Sequence, residues 1–191
     1  MADLVLVRLM SGTRLAVVSV FAATILAGHI QAGLERKGAD AILTDPPRCE
    51  FAWPGWDYTN ITNPLLLTKN TLDKSMIGIM RIPVGGTLPR GKTRISADMT
   101  AQQISALLRE NLQARPEKIE SITFGRSTVA GMRAVRLGYT QLGSPTRRGE
   151  EYGFVRGTHF FHLLFVAAEG PAFASEQKDF ERVVSSFRVL Q

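Results

Sequence analysis

The sequence predicts an α+β domain in which two helices pack on an antiparallel sheet. Three observations point to this class. Strand-length apolar segments recur along the chain, and connections short enough for hairpins join most of them. Only two segments repeat apolar residues at helical spacing. The order is strands, a helix, further strands and a second helix. Short connections join antiparallel neighbours, so the expected architecture is a sandwich of helices on one sheet.

The first 32 residues have the layout of a secretory signal. Arg8 and Arg14 precede the apolar run 15–27, and small and polar residues occupy 28–32. Residues 4–10 are also mostly apolar, so an N-terminal membrane anchor is an alternative, although a span needs about 20 apolar residues. A buried N-terminal helix is a third possibility. No cysteine lies near the end of this segment, which argues against a lipoprotein anchor. We expect a periplasmic or extracytoplasmic protein, either cleaved and soluble or anchored.

The rest of the chain divides into a linker and one domain. Residues 33–47 are polar, contain glycine and proline and lack periodicity, which predicts a linker. Residues 48–191 have the length of a single domain. The one cysteine, Cys49, excludes a disulfide within the chain. Cys49 alternates with Phe51 and Trp53 on one face of a strand-like run, so we expect it to be a buried core residue.

The next elements are short strands and a loop. The first strand of the domain ends at Pro54-Gly55. Residues 65–69 and 76–82 are predicted strands. Residues 83–94 are basic and contain three glycines and two prolines. This composition is typical of a flexible loop.

A capping box marks the first helix. Thr100 and Gln103 have the spacing at which the two side chains cap each other's backbone N–H groups. Met99 and Ile104 occupy the positions of a hydrophobic staple. Leucines then continue the stripe at helical spacing, and Pro116 limits the helix. The sequence predicts a helix over 101–113 with one narrow face on a sheet.

The sequence of the second half of the domain predicts four strands and a helix. The strands cover 120–124, 133–142, 150–155 and 158–167, and the last of them is apolar enough to be central. The helix covers 175–186 with Phe180, Val184 and Phe187 on one face.

Charge and aromatic residues suggest a docking surface. The formal net charge is +6. Basic residues without acidic neighbours concentrate in 81–94 and 126–136, and such a face attracts anionic partners. A solvated basic face that serves only solubility is the alternative. Two aromatic residues after the strand break are candidate anchors. The predicted partner-binding residues are Trp56, Tyr58, Arg81, Arg90, Lys92, Arg94, Arg126, Arg133 and Arg136.

The candidate catalytic and metal-binding residues do not converge. His159 and His162 are three apart on a strand and face opposite sides, so they cannot chelate one ion; we expect one to be inward and hydrogen-bonded. Glu150 and Glu151 diverge for the same reason and are expected on a solvated hairpin with local ion pairs. No nucleophile elbow or phosphate loop is present. We therefore expect no catalytic residue, no metal and no cofactor.

Three short motifs in order resemble the PsbP-like family. They are Phe51-x-x-Pro54-x-Trp56, the hairpin 129–134, and Phe180-x-x-Val183-x-x-Ser186-Phe187. The resemblance covers residues 48–190. It implies an α/β/α sandwich around a central antiparallel sheet with two main helices. Members of the family are mostly non-enzymatic accessory proteins, among them lumenal subunits of photosystem II and exported bacterial proteins. The N-terminal region of the photosystem subunits has no counterpart here, so a photosynthetic role is not implied.

These observations favour an exported, non-catalytic accessory or binding protein. It would dock through its basic surface on a membrane-associated protein complex or an anionic membrane surface. Nucleic acid is not an expected partner of an exported protein. The alternative is a periplasmic binder of a small, lipidic or anionic ligand, with a pocket between sheet and helix. The oligomeric state does not follow from the sequence.

Overall fold

The computed structural model describes residues 33–59, 63–69 and 75–190, so the predicted signal or anchor over 1–32 lies outside the described residues. Within these ranges, no helix is long and apolar enough to cross a membrane. The elements are β1 Leu34–Lys37, β2 Asp40–Leu43, β3 Cys49–Ala52, β4 Asp57–Thr59, β5 Leu65–Thr68, β6 Ser75–Pro83, α1 Ala101–Gln113, β7 Ile119–Val129, β8 Met132–Gln141, β9 Arg147–Arg156, β10 His159–Ala168, α2 Phe173–Ser186 and β11 Arg188–Val189.

A seven-stranded antiparallel sheet forms the centre of the fold. Its strand order is β4-β5-β6-β10-β9-β8-β7. Helix α1 packs on one face, while α2 and a four-stranded sheet of order β1-β2-β3-β11 pack on the other. The predicted α+β class is confirmed. Strand β10 is the central strand of the seven, as its sequence predicts, and both its faces are covered, which explains its continuous apolar run.

Two cores separate the layers. Ile104, Leu107 and Leu108 of α1 pack with Leu137 and Phe160 of the sheet. On the other face, α2 contributes Phe180, Val183 and Phe187, the last at its C-cap, and four phenylalanines of the strands surround them: Phe51, Phe154, Phe161 and Phe165. All of these phenylalanines are fully buried. Side chains therefore fill both helix–sheet interfaces, where the ligand-binding alternative placed its pocket.

Helix α1 begins and ends where the sequence predicts. The Thr100 hydroxyl accepts from the Gln103 backbone N–H at 3.3 Å, and the Gln103 side-chain oxygen Oε1 accepts from the Thr100 backbone N–H at 2.8 Å. The capping box is thus formed at both positions, which fixes where the helix starts.

The predicted linker is wrong. Residues 34–37 and 40–43 form β1 and β2, and β2 pairs with β3 in the small sheet. Ala41 and Leu43 are fully buried in the α2-side core. The segment is polar overall, but its strands are four residues long and only one face is buried. Such short strands leave too few apolar positions for periodicity to register.

The predicted flexible loop is held against α1. Leu88 and Ile95 insert into the α1-side core. The Glu110 carboxylate accepts from the Lys92 N–H at 2.7 Å and from the Thr93 N–H at 3.3 Å. The glycines and prolines shape this loop, but two buried side chains and the helix carboxylate fix it in place.

Candidate functional site

Two of the predicted docking residues are buried. Trp56 is 3% exposed, packs in the α2-side core and donates its indole N–H to Asp179 at 2.9 Å. Arg81 is 6% exposed and donates from Nη1 to the carbonyl oxygens of Asp45 and Pro47 at 2.6 and 3.3 Å. Their prediction as surface residues is wrong, because α2 packs against Trp56 and the connection between β2 and β3 lies over Arg81.

Tyr58 is exposed as predicted. Its side chain is 45% exposed, and its ring meets that of Trp53 edge-on at 6.0 Å. Trp53 is half-buried against the core, with the Arg36 guanidinium 5.0 Å from its ring centroid. The aromatic pair lies next to the small sheet, away from the basic loop and hairpin.

The three arginines of the predicted basic hairpin lie on opposite faces of the sheet. Arg126 pairs with Val135, which belongs to the α1-side core, and Arg133 shares that face. Arg136 is one residue beyond Val135 and points to the α2 side. There its Nε and Nη2 donate to Glu150 at 2.8 and 3.0 Å. The grouping of Arg136 with the other two is wrong, and the period of two explains why.

In the basic loop, Arg90 forms a salt bridge, while Lys92 and Arg94 form none within the described residues; the Glu110 carboxylate lies near Lys92. Arg90 is half-buried and lies 4.0 Å from the Glu117 carboxylate. Burial lowers the pKa of Arg90, and Glu117 opposes that shift. Lys92 and Arg94 are exposed, and Arg94 donates from Nη1 to the Gly85 carbonyl oxygen at 2.9 Å.

Four of the predicted docking residues lie on the α1 side of the molecule. Lys92 and Arg94 belong to the loop that packs against α1, and Arg126 and Arg133 lie on the α1-facing side of β7 and β8. The exposed face of α1 between them carries Arg109, which the sequence analysis did not single out; its guanidinium lies 4.8 Å from the Phe124 ring centroid. None of the five forms a salt bridge within the described residues. We call these five residues the α1-side basic surface.

A buried polar network lies beneath α1. Glu151 is 0% exposed; one oxygen accepts from Arg115 Nη2, and the other lies 2.8 Å from His162 Nε2. An ionised carboxylate only accepts, so the imidazole donates. Arg115 also donates to the Tyr139 hydroxyl at 2.6 Å. The inward, hydrogen-bonded histidine is confirmed, but the prediction of a solvated Glu151 is wrong.

Electrostatics keep Glu151 ionised in this environment. Burial alone would raise its pKa, but Arg115 and His162 outweigh burial and lower the pKa to about 2. Burial raises the pKa of Tyr139, so its hydroxyl stays protonated. Arg115 and His162 both bind the fully buried Glu151 carboxylate. The network connects the end of α1 to β8, β9 and β10, which is a structural role.

Glu150 is also buried, on the opposite face. Besides Arg136, it accepts from the Tyr152 hydroxyl at 2.6 Å and from Gln177 Nε2 at 3.0 Å. Burial raises the pKa of Glu150, and these hydrogen bonds together lower it below its ordinary value. Helices cover both faces of β9, so both neighbouring glutamates are buried although they diverge as predicted. The alternation of residues along a strand does not reveal whether one or both faces of its sheet are covered by helices.

Two grooves open on the surface. The groove beside α2 has a volume of about 480 Å³, and Arg136, Arg148, Glu150, Phe173 and Gln177 contribute to its wall. The other, of about 410 Å³, lies between the start of α1 and the β7–β8 turn, next to Arg133. Glu150 is fully engaged by its three partners, and in the described part of the chain no three His, Cys, Asp or Glu side chains group as metal ligands.

Comparisons with known proteins support the fold. No family model matches the chain, and no curated protein is similar to it. Cyanobacterial PsbP from Synechocystis sp. PCC 6803 superposes with a TM-score of 0.56 at 17% identity, covering 87% of this chain and 98% of that one. LpqN of Mycobacterium tuberculosis, a protein involved in cell envelope biogenesis, gives 0.49 at 12% identity, over 86% and 93% of the two chains. Similarity at this level of identity concerns the fold.

Proposed function

We propose that this chain, which has the PsbP-like fold, is an exported, non-catalytic accessory protein that docks on an acidic face of a membrane-associated protein complex. The α1-side basic surface carries this proposal. Its five cations lie in the loop packed against α1, on α1 itself and on the α1-facing side of β7 and β8, and none forms a salt bridge within the described residues. Cations spread over one face in this way steer an acidic partner and fix its orientation.

The buried charged groups bind one another, which supports a binding role for the protein over a catalytic one. Glu150, Glu151 and Arg115 are committed to internal ion pairs. His162 is sealed beneath α1 and bonded to Glu151. A catalytic acid or base must reach a substrate proton, which these buried groups cannot do.

The N-terminal sequence supports the location. Basic residues followed by the apolar run 15–27 are the pattern of an exported or membrane-anchored chain. An accessory protein held at a membrane meets its partner at high effective concentration, so a modest electrostatic surface is sufficient.

The test is affinity purification of the full-length protein from native membranes, comparing Lys92→Glu/Arg126→Glu with the wild type. Both side chains are exposed, so the variant is expected to fold. Two charge reversals should weaken capture of the partner roughly tenfold or more, and more so at low salt. Lys118→Glu/Lys178→Glu makes the same charge change elsewhere on the surface and should leave capture unchanged. Equal capture by all three proteins would disprove docking through this surface.

Intact-mass analysis of the same preparation addresses the N-terminus. A mass lacking about the first 32 residues indicates a cleaved signal, and the full mass indicates an anchor.

A further inference from the structure

One end of the large sheet carries a second group of arginines. The β7–β8 turn at residues 130–131 and the β9–β10 turn at 157–158 both lie there. The chain leaving β6 joins them, because the Val84 N–H donates to the Thr158 carbonyl oxygen at 2.8 Å. Arg156 precedes the second turn and donates to the Ala130 carbonyl oxygen at 3.3 Å. Three connections therefore meet at one end of the sandwich.

Arg48, Arg94 and Arg133 lie around the same end. Arg133 follows the β7–β8 turn, and Arg94 donates to the Gly85 carbonyl oxygen in the loop after β6. Arg48 follows Pro47, whose carbonyl oxygen accepts from the buried Arg81. We call Arg48, Arg94, Arg133 and Arg156 the arginine end; Arg94 and Arg133 are shared with the α1-side basic surface.

The charge of this end is not cancelled internally. None of its four arginines forms a salt bridge in the described part of the chain. The contacts also place two carboxylates here: Asp45, which accepts from the Gly33 N–H, and Asp98, in the groove beside Arg133. Among these residues the arginines hold an excess of two positive charges.

The described chain begins at this same end. The Gly33 N–H donates to the Asp45 carboxylate at 3.2 Å, and the Asp45 carbonyl oxygen accepts from Arg81 at 2.6 Å. Arg81 pairs with Phe161, two residues from the end of β10. Residues 1–32, with their apolar run, therefore join the domain next to the arginine end.

We propose that the arginine end is the membrane-facing surface of the domain and binds the headgroups of anionic phospholipids. This rests on the proposed membrane location, with residues 1–32 retained as the anchor, and adds the orientation of the domain and the lipid class. Only residues 28–32 separate the apolar run 15–27 from Gly33, so a retained anchor keeps this end near the bilayer. Each arginine that comes within a Debye length of an anionic surface strengthens binding roughly fivefold. Tyr58 is the exposed large hydrophobic side chain of the described residues and lies near the small sheet, so the contact is electrostatic and salt-sensitive.

The orientation is measured with two labelled forms of the full-length protein. Thr158→Cys places a fluorophore at the arginine end, and Glu169→Cys places one at the other end of the ten-residue strand β10, about 30 Å away. Cys49 is fully buried and stays unlabelled. The proteins are reconstituted into vesicles of phosphatidylcholine, or of equimolar phosphatidylcholine and phosphatidylglycerol, containing a headgroup nitroxide lipid as quencher.

Quenching at position 158 should be strong in phosphatidylglycerol vesicles, weak in phosphatidylcholine and reduced by high salt, with little quenching at position 169. Arg48→Glu/Arg156→Glu should reduce quenching at position 158 in the anionic vesicles to the phosphatidylcholine level. The Lys118→Glu/Lys178→Glu control should not. Arg48→Gln/Arg156→Gln removes the charges without reversing them and should give an intermediate value, should the reversal variant fail to fold.

Equal quenching of the two labels, or equal quenching at position 158 in the two lipids, overturns the inference. If position 158 is not quenched while Lys92→Glu/Arg126→Glu still abolishes partner capture, the orientation is wrong and the docking function stands. If capture is unaffected by that variant but position 158 is quenched, the membrane surface is right and protein docking through α1 is wrong.

Discussion

Replacing Glu151 with glutamine removes the charge that holds the network beneath α1 together. Arg115 keeps a buried guanidinium and His162 keeps a buried imidazole, each without its ionised partner. The pKa of Glu151 falls from 4.5 to about 2 on folding, and this difference corresponds to about 3 kcal/mol of stability at neutral pH. Breaking a buried pair by removing one partner costs a similar ~3–5 kcal/mol.

Equilibrium unfolding in urea, followed by the fluorescence of Trp53 and Trp56, measures this loss. At pH 7 Glu151→Gln should be about 3 kcal/mol less stable than the wild type. The folded pKa lies below the unfolded one, so the contribution of Glu151 is present above pH 4.5 and is lost as the pH falls towards 2. The wild-type and variant curves should therefore converge in acid.

The matched control is Glu120→Gln. Glu120 is exposed and pairs with Lys118 on the surface, so its replacement should cost no more than ~1 kcal/mol. A loss below about 1 kcal/mol for Glu151→Gln, or a difference that does not change between pH 7 and pH 2, would refute an ionised buried Glu151.

Two further predictions concern the sheet and the cysteine. A Cβ added at Gly149 would clash with the Tyr139 ring, so Gly149→Ala should lower the free energy of unfolding in urea by about 1–3 kcal/mol. At Gly125 the added atom meets open space, so Gly125→Ala should be close to neutral. Equal effects of the two substitutions would contradict this packing. Burial raises the pKa of Cys49 to about 12, so a thiol reagent at pH 8 should modify it only on unfolding; rapid modification of the native protein would show that the small sheet opens.

The helices and most strands could be predicted because their signals are local. The capping box of Thr100 and Gln103 fixes the start of α1, and the apolar run of β10 indicates a strand covered on both sides. Buried Cys49 followed from its alternation with Phe51. Strands β1 and β2 were not predicted, because they contain few apolar residues. Those residues are buried only once β2 pairs with β3 and the small sheet packs on the large one.

The burial of the candidate docking residues could be predicted from the sequence only in part. The period of two already separates Arg133 from Arg136, as it separates His159 from His162, so that part of the error could have been avoided from the sequence. The burial of Trp56 could not, since its partner Asp179 belongs to α2, more than a hundred residues later in the chain. The burial of Arg81 depends on carbonyl oxygens of the β2–β3 connection, which lies in the segment predicted to be a linker.

The sequence by itself determined the fold class, the bounds of α1 and the inward histidine, since each depends on periodicity and spacing within one segment. Only the tertiary structure decided which charges remain on the surface. Glu150 and Glu151 are adjacent in the chain, yet each is buried beneath a different helix and neutralised by an arginine from another element. The cost of burying a charge is offset only by partners that folding brings from elsewhere in the chain, so the surviving cations of the α1-side basic surface and the arginine end are a property of the assembled fold.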